Sequence, residues 1–287
     1  MTSTKIDING WLIINKPYDM GSTRVVSHLK YLLHPNKIGH AGTLDPLATG
    51  VLPIALGKAT RLIDFVMNDQ KTYEFTIQWG IETDSDDLAG QQTATSNVRP
   101  DEKQILSVLP RFTGQIMQTP NVFSALKING QRAYDLARSG QSVHIRPRPV
   151  HIAHLKLLKS DEKQADFVAT VGKGTYIRTL AHDIAHALNT VGVVTRLHRT
   201  QDGPFTIEKA VPLNEEVRQH ILPMTCVLVG LPQIQTDAEQ AARIRCGQRI
   251  KKPEYLNLSG VYAVMHGDEI VALADVQRGV LHPKSVF

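Results

Sequence analysis

One aspartate is set between a glycine bend and a proline in Gly39-His40-Ala41-Gly42-Thr43-Leu44-Asp45-Pro46-Leu47-Ala48-Thr49-Gly50-Val51-Leu52-Pro53. Pro46 holds Asp45 in an extended backbone conformation, and Gly42 permits a tight bend before it. A carboxylate on so rigid a corner is placed to act as a nucleophile or a base. The same residues also describe a helix start. In that reading Asp45 is the N-cap, Pro46 takes the first helical position, and Gly50 ends one short turn. The local pattern leaves both readings open.

Other chemistry-bearing patterns are weaker. Gly57-Lys58 and Gly172-Lys173 lack the upstream glycine and following hydroxyl of a phosphate loop, which excludes ATP and GTP sites of that type. His182-Asp183-Ile184-Ala185-His186 places two histidines on one helix face, as in zinc proteases. Asp183 is one methylene shorter than the usual base and no third ligand is evident, so no metal is expected. Glu82, Asp84, Asp86 and Asp87 form an acidic cluster, but Leu88 and Ala89 break a calcium-loop pattern. The expectation there is a solvated turn. Cys226 and Cys246 have neither zinc nor redox spacing and are expected as reduced packing residues.

Strands and helices must carry these groups. Tyr73, Phe75, Ile77, Trp79 and Ile81 alternate with polar or small neighbours, which predicts a strand with one buried face. Helices are predicted over 23–33, 101–109 and 175–188, the last with Ile177, Leu180, Ala181, Ile184 and Leu188 on one stripe. A short apolar run spans 11–14. Without a regular βαβ repeat, the pattern favours an α+β core. After Gly230 the texture changes to short segments broken by glycine and proline, with small strands over 261–265 and 270–274. We place a boundary near 225–236 and expect domains at 1–230 and 231–287.

The chain has 287 residues, about twice the usual ~150-residue domain. Its 42% hydrophobic and 21% charged residues exclude wholesale disorder. No apolar run reaches the ~20 residues of a membrane helix, and the start Met1 to Asp7 lacks a signal-peptide core, so a cytoplasmic location is expected. The net charge of +5 tilts the chain toward polyanions. That charge is concentrated in 119–148, where Lys127, Arg132, Arg138, Arg146 and Arg148 face only Asp135 among turn signals and one short helical stretch from Arg132 to Arg138. A solvated surface loop would also explain it.

The loop at 39–53 resembles the catalytic loop of the tRNA pseudouridine-55 synthases. Further blocks agree in order. Asn15-Lys16-Pro17 resembles the family's opening, Lys71-Thr72-Tyr73 its Lys-x-Tyr, and Thr83-Asp84-Ser85 with Asp87 and Gly90 its acidic turn. Pro120 to Tyr134 resembles its RNA-gripping insertion, and Lys173-Gly174-Thr175-Tyr176-Ile177-Arg178-Thr179 its second active-site block. The likeness is close over about 10–200. The tail is a weaker match to a reduced PUA-type RNA-binding module, and a small stabilising β-domain is its alternative. One departure is His182, where the family usually has an acid beside Asp183.

The resemblance implies a mixed, largely antiparallel sheet with the basic insertion at 119–148 and a small PUA-like β-rich domain at the end. It implies an isomerase that flips uridine 55 out of the tRNA T-loop and exchanges its glycosidic bond. Asp45 would be the nucleophile or the base at the sugar, Tyr73 would stack on the uracil, and Arg178 would pair with Asp45. His40 would fill the space of the flipped base, with Tyr176 and Leu197 lining the pocket. Lys16, Lys127, Arg132, Arg146 and Arg148 would meet phosphates. The implied partner is the T-arm of tRNA, met by a monomer without metal, nucleotide cofactor or membrane. Two alternatives share these residues: a tRNA-folding chaperone whose catalysis is secondary, and an RNA glycosidase releasing free uracil.

Overall fold

The computed structural model describes residues 5–67, 70–124, 126–128, 130–133 and 145–287. Among them a nine-stranded sheet forms the main layer. Strand β1 (Gly10–Lys16) pairs antiparallel with β3 (Thr49–Leu56), which also pairs with β2 (Ile38–His40). Next to β3 lies β12 (Gly192–Asp202), joined to it in parallel through His198 opposite Thr49 and Arg199 opposite Gly50. The sheet then continues antiparallel through β4 (Lys71–Trp79), β11 (Gln164–Val171), β10 (Arg148–Ser160) and β7 (Gly114–Gln118), while β13 (Phe205–Thr206) pairs with the end of β12. Two hairpins stand beside it: β5 (Ile81–Thr83) with β6 (Gln92–Thr95), and β8 (Lys127–Ile128) with β9 (Gln131–Arg132).

Local sequence explains most of these elements. In β4 the apolar set Tyr73, Phe75, Ile77 and Trp79 is buried, as its period of two requires. The strand stops earlier than the alternation predicts, because Gly80 takes φ +88° and Ile81 opens β5 instead. Helices α1 (Ser22–Leu33), α2 (Ile63–Val66), α3 (Glu102–Val108) and α4 (Ile177–Ala187) cover the layer. Asp101 and Gln104 close a reciprocal capping box on α3.

Of the two local readings at Asp45, the helix start does not form. Ala48 N–H donates to the Asp45 carbonyl at 3.1 Å to close a single turn, and Thr49 and Gly50 already belong to β3. Gly50 serves a different purpose from helix termination. At φ +99° a Cβ on it would lie 2.2 Å from the Arg199 carbonyl oxygen, so only glycine admits the close β3–β12 contact.

The sheet buries both faces. Leu12 and Ile14 of β1 join Leu52, Phe75, Ile77, Leu180 and Ile184 on one side, whereas Trp11 and Ile13 turn to the other with Val51, Leu62 and Phe205. That second cluster continues into Ala263, Met265, Ile270 and Phe287. The first three belong to a separate C-terminal sheet of β14 (Gln233–Gln235), β16 (Gly260–His266), β17 (Glu269–Gln277), β18 (Val280–Val286) and β15 (Ile250–Lys251), in that order, and Phe287 follows β18. With α5 (Ala238–Arg245) it encloses its own core of Ile244, Tyr255, Val264, Val271 and Leu281. The protein is thus α+β with a largely antiparallel main sheet and a separate β-sheet behind it. Cys246, expected as a packing residue, is exposed. No helix among the described residues is long and apolar enough to cross a membrane.

Candidate active site

The bend between β2 and β3 is braced from three elements. Lys16, at the end of β1, is fully buried and gives its ammonium hydrogens to the carbonyls of Pro17 (2.8 Å), Met20 (2.6 Å) and Pro46 (3.0 Å). Burial lowers its pKa to about 8, against the pull of Asp45 and Asp19. The expectation that Lys16 meets a phosphate is therefore corrected: all three donors are spent inside the protein. Ser22, opening α1, accepts from Leu44 N–H and donates to Leu44 C=O, both at 2.9 Å. Arg199 of β12 donates to Val51 C=O at 2.7 Å and Gly42 C=O at 3.1 Å, joining the two sides of the bend. Gly42, at φ +118°, could not carry a Cβ without crowding Asp202 and this guanidinium.

Asp45 projects from the braced bend with its side chain 36% exposed, and Arg178 Nε donates to its Oδ2 at 2.8 Å. Arg178 lies in the first turn of α4 and is 5% exposed. Its remaining nitrogens donate to Ser85 C=O (2.7 Å) and Phe123 C=O (3.1 Å), and Asp87 Oδ2 lies 3.6 Å from Nε. Burial opposes the guanidinium's charge, but Asp45 and Asp87 more than offset it and raise its pKa. This guanidinium also explains why the acidic turn is not solvated as expected. Ser85, Asp86 and Asp87 are all buried around it, and Asn121 donates to Asp86 Oδ2 at 2.7 Å. Burial raises the Asp86 pKa.

Asp45 opens on a cleft of about 320 Å³ lined by Tyr73, Lys71, Tyr176, Ile177, Leu197, Arg148 and Lys173, among others. Tyr73 is buried on β4, and Arg199 Nη1 lies 3.4 Å from its hydroxyl. Burial raises the phenol's pKa while Arg199 pulls the other way. Asp202 pairs with Lys71 (3.0 Å) and Arg199 (3.3 Å). Two cations against one carboxylate leave this buried triad positive, so it can stabilise negative charge developing in the cleft.

Sequence reasoning did not single out Arg199 or Asp202. The available signal was two opposite charges within the strand pattern of 192–202. Arg148 is partly engaged: it lies 5.1 Å over the Tyr176 ring and donates to Gly174 C=O at 2.6 Å. Gln118 exchanges two hydrogen bonds with the Tyr176 backbone and so fixes that wall. Arg146 is exposed. His40 ends β2 opposite Ile54 and does not line the cleft. Lys127 and Arg132 have backbones that pair in β8 and β9, but their side chains lie outside the described part of the chain, as does most of the helix expected from Arg132 to Arg138.

A second group assembles behind α4. Glu82 of β5 meets both His182 and His186 and is the third member of the group that the sequence did not reveal.

A largely antiparallel sheet thus presents an aspartate-centred, aromatic-walled cleft, and comparison with known proteins says which family carries it. Residues 30–177 match the TruB family pseudouridylate synthase N-terminal domain. The chain is 43% identical over 297 residues to a tRNA pseudouridine synthase B of Bradyrhizobium diazoefficiens, covering 98% of this chain and 86% of that one. It is 42% identical to a tRNA pseudouridine synthase B of Rhizobium meliloti, covering 98% and 96%. Among solved structures it resembles a chain of an H/ACA RNP bound to a substrate RNA containing 2'-deoxyuridine, with a TM-score of 0.74 at 25% identity over 97% of this chain and 84% of that one. The chain belongs to the TruB family of pseudouridylate synthases.

Proposed function

We propose that the protein isomerises uridine 55 in the T-loop of tRNA to pseudouridine, acting as a monomer on the T-arm in the cytoplasm. The observation that carries this reading is the Asp45 carboxylate, held at 2.8 Å by a buried Arg178 on the wall of a cleft that also presents Tyr73. The reaction breaks the N1–C1′ bond, turns the detached uracil and joins C5 to C1′. Its atoms and electrons balance within the substrate, so neither a redox partner nor phosphate energy enters.

Asp45 attacks C1′ or removes a sugar proton, and Arg178 holds it aimed. Tyr73 stacks on the base, a contact that tolerates rotation of the ring. Lys71 and Arg199 offset the charge left on uracil when N1 departs. The apolar walls formed by Ile177 and Leu197 exclude water that would hydrolyse the sugar. Flipping the base costs a few kcal/mol, and contacts from Arg146 to phosphates help offset it without reading sequence.

The test is tritium release from a T-arm transcript labelled at uridine C5, because C5 loses its hydrogen when it becomes the attachment atom. Release by the wild type and not by Asp45→Asn, with pseudouridine as product, is the expected result. Free uracil as product would instead establish a glycosidase. No release by either protein, with tight salt-sensitive tRNA binding retained, would leave the folding-chaperone reading.

A further inference from the structure

The helix that presents Arg178 carries a second cluster, which the isomerisation does not use. His182 and His186 follow Arg178 at four-residue steps, so the three side chains share one face of α4. Arg178 reaches Asp45, whereas the two imidazoles face Glu82 on β5. His186 Nε2 lies 2.5 Å and His182 Nε2 3.7 Å from the same Glu82 oxygen. The rings stack with centroids 4.1 Å apart. On its other side His182 Nδ1 lies 3.3 Å from Asp183 Oδ1. With the proton on Nδ1, that carboxylate accepts it and leaves the Nε2 lone pair directed toward Glu82.

We propose that His182, His186 and Glu82 form a site for a divalent transition cation of the zinc class, separate from the RNA cleft, that ties α4 to β5. Two imidazoles and one carboxylate are a recognised zinc donor set, and the three ligand atoms lie within 4.8 Å of one another. Tetrahedral ligation at about 2.0–2.2 Å sets such donors about 3.3 Å apart, between the two distances observed, so small side-chain rotations close the set. His186 is half-exposed beside a groove lined by Arg111, Gln115 and Met117, which leaves a fourth position to water.

The placement gives the cation a positioning role. Strand β5 leads into the turn whose Ser85 carbonyl and Asp87 carboxylate grip Arg178. A cation at Glu82 therefore bridges the two elements that hold the partner of Asp45.

The test titrates metal-stripped full-length protein with Zn²⁺ by calorimetry, and with Co²⁺ to read the visible bands of a four-coordinate ion. Wild type, His186→Ala and Glu82→Gln are compared, with circular dichroism to confirm their folds. One equivalent of Zn²⁺ bound by the wild type, at least tenfold weaker binding in each variant, and a Zn²⁺-dependent rise in melting temperature confined to the wild type would support the site. Equal affinity in all three proteins, or no binding at millimolar Zn²⁺, would overturn it. None of these readouts depends on isomerase activity.

Discussion

Every nitrogen of the Arg178 guanidinium is engaged, by Asp45, Ser85 and Phe123, and Asp87 lies close beside it. Its role is orientation, and misplacement of a reacting group by about 1 Å can cost about 10²-fold in rate. Arg178→Lys keeps the charge but loses the fork. We expect kcat for pseudouridine formation to fall by about 10²-fold with tRNA affinity little changed, which single-turnover kinetics and filter binding would separate. Tyr73 allows a finer division. Stacking needs only the ring, while taking a proton from C5 needs the phenol. Tyr73→Phe is expected to bind T-arm RNA as wild type does, and Tyr73→Leu to lose about 1–3 kcal/mol of binding. If Tyr73→Phe turns over normally, the phenol moves no proton. Fluorescence anisotropy on a T-arm hairpin reads the first effect and tritium release the second.

Elements of this fold differ in how plainly their residues announce them. The two-residue period of β4 and the capping box of α3 are written locally, and the structure follows both. The Asp45 bend is not, because N-cap, proline and glycine signals suit a helix as well as they suit a braced turn. What decides is the Arg199 carbonyl packed on Gly50, a contact across the sheet that no local pattern encodes. The acidic turn misleads for a related reason: its burial depends on a guanidinium 93 positions away. Asp45 stood out by its rigid corner, but Arg178 entered through a resemblance, because their contact spans 133 positions and has no periodic signature.

Lys16 shows how such a brace can be measured. Its folded pKa of about 8 lies below the ordinary 10.5, so from about pH 8 to about 10 the unfolded chain holds more protons than the folded one. Its contribution to stability accordingly rises with pH across that window, by at most about 1.4 kcal/mol per unit. Lys16→Met is expected to flatten this rise and to loosen the Asp45 bend. Urea unfolding of both proteins at several pH values would show it. The window closes toward pH 10.5, where the unfolded lysine also loses its proton, and Tyr73, with its pKa raised by burial, acts in the opposite direction above about pH 10.

At the scale of the molecule the two sheets are not independent bodies joined by a string. Trp11 and Ile13 bury their side chains in the same cluster as Ala263, Met265 and Phe287, and Val227 and Leu228 of the intervening stretch lie in it too. The C-terminal sheet has a core of its own, yet its inner face completes the one behind β1 and β3, the second of which leads out of the Asp45 bend. Opening that interface would expose apolar surface on both sides, at about 25 cal/mol for each Å². The sheets should therefore unfold together. Met265→Ala, in the C-terminal sheet and far from Asp45 in sequence, is expected to cost about 2–5 kcal/mol and to lower the single melting transition of the whole chain. Scanning calorimetry checks this through equal van't Hoff and calorimetric enthalpies. Two transitions, with only the lower one shifted by the substitution, would mean that the catalytic sheet stands without its neighbour and that the shared cluster couples nothing.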